Sequence, residues 1–354
     1  MSTYRLDRSF EWNFRNGPAY DGTFPEVPKI PLKDYFGIPA QSRIGVAASV
    51  LVNRRWTETY ARLGFDLLTY KTVRMRRRRC HNFPNWMFVD EGSDLLEETD
   101  TALVRPARRI GNPLDLTGAG SFGMPSRLPE FWQEDICKTR ASLPASKVLI
   151  VSIVATPLPG MTADEMASEF GELAGMVSAA GAQVIEANLS CPNVRAGEGE
   201  LYQDTQMVGR VAKAVRTGAG NKPVTLKLGH ILKNEDLSAV LQAAEGLADG
   251  VVMINGVNRT VVNHDGSATF GPGRETCGII GQGLRPVAID AVDRAGRIVQ
   301  RDRLSLKIIG TGGFAKPADA AAFFDAGAYA VFSASGAIFD PHLAIRVKQE
   351  HPEW

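Results

Sequence analysis

Eight short apolar segments recur along the chain, and most are separated by longer segments with helical periodicity. Each apolar segment has the length of a strand, and most are apolar at nearly every position, which is typical of strands buried on both faces. The predicted strands are 44–48, 67–70, 148–153, 183–188, 224–228, 250–255, 306–310 and 330–333. The predicted helices are 56–63, 163–179, 204–217, 234–248, 286–300 and 317–326. This alternation predicts repeated βα units and a parallel sheet.

The number of predicted strands favours a closed barrel over an open sheet. Eight βα units predict an α/β protein with a (β/α)8 TIM barrel. An open doubly wound sheet is the alternative, and it would carry a glycine-rich nucleotide turn after its first strand. The chain has Ala47-Ala48-Ser49 at that point instead. The segment Gly118-Ala-Gly-Ser-Phe-Gly123 has the glycine spacing of such a turn, but Met124-Pro125 follow it where a helix should begin, so we do not assign it to a dinucleotide.

The chain divides into an arm and a barrel domain. Residues 1–42 are rich in proline and aromatic residues without a clear period, and they predict an irregular N-terminal arm. Residues 43–354 are predicted to form the barrel. Two intervals, 72–144 and 258–285, are too long for simple connections. Both follow the carboxyl ends of predicted strands, where barrel active sites are built, so we predict that they are lids or substrate loops.

Composition and charge indicate a small ligand rather than a polymer or a membrane. The 354 residues carry a net charge of +1, with 44% hydrophobic and 22% charged residues. A protein that binds nucleic acid or a membrane surface usually shows a strong basic excess. The run Arg74-Met-Arg-Arg-Arg-Arg79 is basic, but acidic residues between positions 90 and 100 offset it. No segment has the apolar character of a signal peptide or a membrane span, so we predict a soluble, cytoplasmic protein.

One of the four cysteines lies in a context that suits chemistry. Cys80, Cys137, Cys191 and Cys277 form no Cys-x-x-Cys pair, which argues against zinc, an iron–sulfur cluster and a disulfide framework, and no metal is predicted. The strand at 183–188 continues into Asn188-Leu-Ser-Cys-Pro-Asn193. That turn places one ionisable sulfur between two amides, an arrangement that suits a base or a nucleophile. The alternative is a buried structural cysteine.

Turns rich in backbone donors follow the seventh and eighth predicted strands. Gly312 and Gly313 follow the seventh, and Ser335 and Gly336 follow the eighth. Barrel enzymes frequently bind phosphate with the loops after these two strands, so we predict a phosphate site there. The alternative is close packing that only requires small residues.

Two lysines and several amides are predicted at the same rim of the barrel. Lys71 follows the second strand, and Lys227 lies in the fifth. A lysine at the end of an apolar strand is costly to bury unless it meets an anion or an electron-rich ring. Asn188, Asn255 and Asn258 lie at the ends of neighbouring strands or just beyond them. Together these side chains suit a flat ligand that is rich in carbonyl groups.

The strand-end motifs together resemble those of a known family. They are Glu186-Ala-Asn-Leu-Ser-Cys-Pro-Asn193, Leu226-Lys-Leu228, Gly278-Ile-Ile-Gly281 and Ile309-Gly-Thr-Gly-Gly313, with Gly45-Val-Ala-Ala48 and Tyr70-Lys-Thr72 at the first two strand ends. Their order and spacing resemble those of the dihydroorotate dehydrogenases, over residues 43–346. Cysteine rather than serine at position 191 is similar to the soluble class of that family, not to the membrane-associated class that uses quinones.

The resemblance implies FMN at the carboxyl-terminal mouth of the barrel. The implied cofactor-binding residues are Ala47, Ala48, Lys71, Asn188, Lys227, Gly281, Gly312, Gly313, Ser335 and Gly336. The implied substrate-binding residues are Lys71, Asn188, Asn193, Asn258 and Arg259. Cys191 would be the general base that removes a proton next to a carbonyl, and Lys227 would stabilise negative charge on the reduced cofactor.

Two positions depart from the family pattern. Gly120 stands where the family usually has a substrate-binding Asn, and Arg259 follows Asn258 where a small Ser or Thr is usual. These two changes suggest a substrate that is an anion different from dihydroorotate or larger than it. The resemblance as a whole implies an FMN-dependent oxidation of a CH–CH bond next to a carbonyl, on dihydroorotate or a related carboxylated cyclic amide. Similar enzymes are commonly dimers, so a homodimer is expected. The electron acceptor stays open between fumarate, a nicotinamide-linked partner subunit and another oxidant.

Two other functions are compatible with the residues. One is a flavin-free barrel lyase or isomerase that acts on a phosphorylated substrate and uses Lys227 or Cys191 to transfer a proton. The other is a binding or regulatory module that has lost its activity, which would be consistent with the changes at Gly120 and Arg259. A colourless protein that is indifferent to FMN would favour the first of these.

Overall fold

A computed structural model describes residues 2–90, 103–190 and 200–354. The strands in these ranges are β1 (Lys33–Tyr35), β2 (Ile38–Ala40), β3 (Ile44–Val46), β4 (Leu67–Val73), β5 (Trp86–Asp90), β6 (Leu103–Pro106), β7 (Thr117–Gly120), β8 (Val148–Ile153), β9 (Val184–Asn188), β10 (Val224–Lys227), β11 (Gly250–Met253), β12 (Val257–Val261), β13 (Thr276–Gly281), β14 (Lys307–Thr311) and β15 (Ala330–Ser333). The α-helices are α1 (Phe10–Asn16), α2 (Arg54–Arg62), α3 (Pro129–Ser142), α4 (Ala163–Ala180), α5 (Thr205–Ala219), α6 (Asn234–Ala244), α7 (Arg285–Asp302), α8 (Pro317–Asp325), α9 (Ser335–Phe339) and α10 (Leu343–Glu350).

Eight parallel strands close into a barrel, in the order β3-β4-β8-β9-β10-β11-β14-β15. The predicted (β/α)8 barrel is therefore confirmed, and the ends of the eight predicted strands differ from the observed ones by at most three residues. Every residue of β8, β9, β11 and β15 is buried, as their apolar sequences require. Some helices begin at a side-chain cap: the Thr162 and Glu165 side chains form a reciprocal capping box at the start of α4.

The two long intervals are not simple loops, and this corrects the sequence-based interpretation. They contribute β5, β6, β7, β12 and β13, which close into a second, smaller barrel in the order β12-β13-β7-β5-β6. Its core holds Val104, Ala119, Phe270 and Ile279. Helix α3 also lies in the first interval. The hydrophobic pattern missed these strands because several are short and one, Thr-Gly-Ala-Gly, is half glycine.

The N-terminal arm is more regular than predicted. It contains α1, whose first turn is capped by the Ser9 hydroxyl, and a hairpin of β1 and β2. The hairpin closes the amino-terminal end of the barrel, because the buried Tyr35 ring packs in one cluster with Leu67 and Val148, the first residues of β4 and β8. The segment that includes Tyr4 and α1 lies against the barrel's main core instead.

Charged side chains at the amino-terminal end of the barrel are buried as a closed cluster. Asp66 is fully buried and accepts hydrogen bonds from Lys147 Nζ at 2.6 Å and from the Ser42 hydroxyl. Lys348 Nζ lies 2.6 Å from the second Asp66 oxygen and donates to Gly64 O at 2.6 Å. Burial lowers the pKa of Lys348 to about 8, although the Asp66 carboxylate opposes that shift. The cluster therefore ties α10 to the start of β4.

None of the helices in the described part of the chain combines the length and the apolar character needed to cross a bilayer.

Candidate active site

A cavity opens at the carboxyl-terminal end of the large barrel. Its floor is formed by interior side chains at the ends of the strands, because alternate residues of each strand point inward. The floor residues are Ala47, Lys71, Asn188, Lys227, Ile254, Thr311 and Ala334. The walls come from the mouth loops, the second barrel and the arm, and they include Tyr4, Phe10, Trp86, Gly120, Phe122, Met124, Gly278, Ile280, Gly281, Gly312, Gly313, Ser335 and Ile338.

Most of the predicted cofactor residues line this one cavity. Nine of the ten do so, and the tenth, Gly336, directly follows the lining residue Ser335. They come from seven separate parts of the chain. The structure therefore brings together, in one cavity, residues that the sequence analysis located separately at the ends of individual strands.

The turns after β14 and β15 leave no room for side chains. Gly313 has φ of +82°, and a Cβ there would lie 2.6 Å from Arg285 Cβ. A Cβ on Gly336 would lie 2.2 Å from the Phe314 carbonyl oxygen. The buried Ser333 hydroxyl connects the two turns, because it donates to Phe314 O at 2.7 Å and accepts from Ala337 N–H at 3.0 Å. Gly336 is thus required by the close approach of the two turns, and Gly313 by its backbone conformation and by its contact with the start of α7.

The same turns present backbone donors to the cavity. No described residue accepts a hydrogen bond from the N–H groups of Gly313 or Ser335. Both residues are partly exposed and line the cavity. Two N–H groups without protein acceptors at a cavity wall are a suitable site for an anionic oxygen.

Asn188 and Lys227 are held side by side by the parallel pairing of β9 and β10. The two residues are register partners, and Leu189 N–H donates to Lys227 O at 3.0 Å. Both are nearly fully buried, at 5% and 3% exposure. The Asn188 side chain is fixed at both ends: its Oδ1 accepts from Ser190 N–H at 3.2 Å, and its Nδ2 lies 3.4 Å from Met124 Sδ. The amide orientation is therefore set before any ligand binds.

Lys71 lies at the edge of the cavity, near a cysteine that is not a good candidate for a nucleophile. Lys71 is half-buried, and its backbone N–H donates a hydrogen bond to Leu51 O at 2.8 Å. Burial raises the pKa of Cys80 to about 12, although Lys71 and Arg274 nearby oppose the rise. Cys277, in the core of the second barrel, also has its pKa raised to about 12 by burial. Both thiols are therefore protonated near neutral pH.

Cys191 and Asn193, the predicted base and one predicted substrate residue, lie outside the described residues. The residues on either side of that segment, Ser190 and Glu200, pair with each other in an antiparallel bridge. Asn255, a cavity residue, donates to Ser190 O. Both ends of the segment are thus anchored beside the cavity, and the roles of Cys191 and Asn193 stay predictions.

Asn258 and Arg259 are not among the residues that line the cavity. Asn258 Nδ2 donates to Glu200 Oε1 at 3.3 Å, so it lies beside the same segment. Arg259 lies on β12 opposite Cys277, and its Nη1 donates to Asn258 O at 2.8 Å. Their predicted contacts with substrate stay predictions.

Gly120 does line the cavity, on β7 opposite Trp86 and Gly278. A Cβ there would have only ordinary contacts, 3.7 Å from Phe122 and 3.8 Å from Ile280. The glycine therefore leaves space that a larger side chain would occupy.

Several lining residues were not predicted as site residues. Thr311 ends a barrel strand, and the rule that located Asn188 could have located it as well. Asn255, which the sequence places at the rim, lines the cavity. Tyr4, Trp86 and Phe122 come from the arm and the insertions, and no local sequence signal marks them. Their positions depend on the second barrel and on how the arm folds back.

Comparison with known proteins identifies the family. The family model described as dihydroorotate dehydrogenase matches residues 121–353. A dihydroorotate dehydrogenase from Dictyostelium discoideum is 32% identical over an alignment 359 positions long, which covers 97% of this chain and 95% of that protein. The chain belongs to the dihydroorotate dehydrogenase family. It is an oxidoreductase that acts on CH–CH donors, and this confirms the prediction made from the strand-end motifs.

Other family members match over a shorter range. A dihydroorotate dehydrogenase B (NAD(+)) catalytic subunit from Maridesulfovibrio salexigens is 34% identical over 189 residues, which cover 53% of this chain and 59% of that subunit. The crystal structure of DHODH from Eimeria tenella in complex with ferulenol superposes with a TM-score of 0.73 at 18% identity, over 96% of this chain and 88% of that one. That likeness supports the fold.

Proposed function

We propose that this enzyme uses FMN to oxidise dihydroorotate, or a related carboxylated cyclic amide, at the CH–CH bond next to a carbonyl. The observation that carries the proposal is the convergence of nine of the ten predicted cofactor residues on one cavity at the barrel mouth. Family membership supplies the reaction class. The position of these residues supports the cavity at the barrel mouth as the place where the reaction occurs.

The residues at the cavity fit FMN. The turns after β14 and β15 offer to a phosphate the N–H groups of Gly313 and Ser335, which have no acceptor among the described residues, and Gly312 and Gly313 carry no side chain that would limit its approach. Ala47 and Ala48 are small enough for a flat ring to lie against the backbone. Lys227 lies on the floor, where a cation would favour a cofactor that gains negative charge on reduction. When bound, FMN supplies a two-electron acceptor for the oxidation.

The chain itself would provide the base and the substrate contacts. Cys191 in its thiolate form would accept the proton from the carbon next to the carbonyl and become the thiol. A free thiol has a pKa of about 8.5, so a small thiolate fraction exists near neutral pH and a cation nearby enlarges it. The amides of Asn188, Asn193 and Asn258 would hold the carbonyl and N–H groups of the substrate, and Lys71 would attract its carboxylate.

The two departures from the family pattern bear on the choice of substrate. Gly120 replaces an amide by open space in the cavity wall, and Arg259 adds a cation close to Asn258. We propose that the substrate is a carboxylated cyclic amide, with dihydroorotate as the first candidate.

Reduction of bound flavin without oxygen tests this function. The purified protein is loaded with FMN, and its absorbance is followed after addition of dihydroorotate or dihydrouracil, which lacks the carboxylate. Bleaching by dihydroorotate but not by dihydrouracil is expected. Bound flavin that stays oxidised at high dihydroorotate would exclude that substrate, and a protein that does not bind FMN would exclude the cofactor and favour the flavin-free alternative.

The electron acceptor can be sought with the reduced enzyme. Relatives of this chain are named as NAD(+)-linked and as fumarate-linked enzymes. Mixing the reduced protein with fumarate, with NAD(+) or with a quinone, and following the return of flavin absorbance, identifies which of them this enzyme uses.

A further inference from the structure

Glu186 is a buried carboxyl group directly beneath the cavity floor. It lies on β9 two residues before Asn188, so its side chain also points into the barrel, one layer deeper. Its exposure is 0%, and neither carboxyl oxygen has a partner with hydrogen-bonding geometry among the described residues. Buried carboxyl groups are rarely left this way, because the charged form loses its hydration.

The strand register places a lysine next to this carboxyl group. Glu186 is paired with Thr225 and Asn188 with Lys227, so Lys227 is the diagonal neighbour of Glu186 on the inner face of the sheet. A lysine side chain can span that separation. Lys227 is itself 3% exposed, so both groups lie in the same water-poor interior.

Among the described residues, the other neighbours of Glu186 do not provide a positive charge. Ser152 is the register partner of Glu186 on β8, but its hydroxyl shares a hydrogen bond of 3.0 Å with Thr72. The Tyr35 hydroxyl, from the hairpin below, is also buried without a partner in the described ranges, and burial together with the nearby Glu186 raises its pKa. Burial raises the pKa of the Glu186 carboxyl, while the Lys227 ammonium and the Ser152 hydroxyl oppose the rise.

We propose that Glu186 is a positioning residue for Lys227: its carboxylate, one layer below the cavity floor, attracts the ammonium and offsets part of the positive charge beneath the cofactor. This inference rests on the proposed function, because it concerns bound FMN. A cation under the cofactor favours the reduced form, which carries more negative charge. The Glu186 carboxylate weakens that preference, and it thereby lowers the midpoint potential of the bound flavin.

The midpoint potential of the FMN-loaded protein tests the inference. In Glu186→Gln the shape is kept and the charge is lost, so the ratio of reduced to oxidised flavin at a fixed solution potential should rise about tenfold, or about 30 mV for a two-electron couple. Glu186→Asp keeps the charge and should stay closer to the wild type. Asp66→Asn is the matched control, since it removes a buried carboxylate at the opposite end of the barrel; it should lower the melting temperature and leave the potential of the bound flavin unchanged.

The outcomes separate this inference from the function on which it rests. A wild-type protein that fails to bind FMN overturns both. Wild type and Glu186→Gln that bind FMN with the same potential, or a lower potential in the variant, overturn the inference alone, because a purely structural role would change stability and not potential. If Glu186→Gln does not fold, the inference is tested on the wild type by the infrared difference spectrum between its oxidised and reduced forms. A shifted carboxylate band supports the inference, and an unchanged carboxylate region contradicts it.

Discussion

The two ends of the large barrel handle buried charged groups in opposite ways. At the amino-terminal end, Asp66 is surrounded by Lys147, Lys348 and Ser42, and both of its oxygens have partners. The hairpin that carries Tyr35 closes this end. At the carboxyl-terminal end, two glycine turns present N–H groups to a cavity, and Glu186 lies beneath it without a hydrogen-bond partner in the described ranges.

The contrast indicates which end stabilises the fold and which end binds. In a closed charge cluster every charged group already has a partner, so no group is left to bind a ligand. Removal of one partner destabilises the fold, because it leaves the remaining buried charges unpaired. Hydrogen-bond donors that face a cavity can instead donate to a bound ligand. The amino-terminal end should therefore determine stability, and the carboxyl-terminal end should determine binding and activity.

The largest effect is expected from Cys191→Ala, which acts at the carboxyl-terminal end. Loss of a general base should lower the rate of flavin reduction by about 10²–10⁴-fold, with FMN affinity preserved. Stopped-flow reduction under anaerobic conditions measures this rate. Cys137→Ala is the matched control, because Cys137 is exposed on α3, and it should behave as the wild type. A Cys191→Ala rate close to that of the wild type would remove Cys191 from the mechanism.

The next effect is expected from Asp66→Asn at the other end. It leaves two buried lysines without their carboxylate, so the free energy of unfolding should fall by about 3–5 kcal/mol. Denaturant titration of the protein measures this loss. Asp293→Asn breaks an exposed pair with Arg297 one turn along α7, and it should cost no more than about 0.5 kcal/mol. Equal losses in the two variants would contradict a closed cluster that stabilises the fold.

Gly313→Ala should act on the cofactor. Its Cβ would stand 2.6 Å from Arg285 Cβ and 2.9 Å from the Arg285 backbone, at φ of +82°. The turn must move, so the dissociation constant for FMN should rise at least about tenfold, or about 1.4 kcal/mol. Fluorescence quenching of FMN measures it. Gly160→Ala shares the positive φ, at +80°, but meets no atom within 4 Å and does not line the cavity; it should leave FMN affinity unchanged.

The smallest effect is expected from Gly120→Ala. The nearest atoms would lie 3.7 and 3.8 Å from the new Cβ, so stability and FMN affinity should change by less than about 0.5 kcal/mol. Gly120→Asn supplies the amide that the family usually has, and it should lower the KM for dihydroorotate if that molecule is the substrate. A higher KM in Gly120→Asn would indicate that the open space is needed by a larger substrate.

The sequence was most informative where the residues act through the backbone or lie at the end of a strand. The eight barrel strands could be predicted because each is a compact apolar segment, and Asn188, Lys227 and Gly313 could be located because they follow such segments. The second barrel could not, since β7 and β12 are glycine-rich or polar and gain their stability from pairing with distant strands. Tyr4 and Glu186 were missed for related reasons: one depends on the path of the arm, and the other looks like an ordinary position within a strand motif.

A crystal structure of the protein grown with FMN and orotate tests the contrast between the two ends most directly. We predict FMN in the cavity at the carboxyl-terminal end, with its phosphate against the N–H groups of Gly313 and Ser335 and its ring over Lys227. The Asp66 cluster should be unchanged. FMN bound elsewhere, or a phosphate away from both glycine turns, would contradict the account.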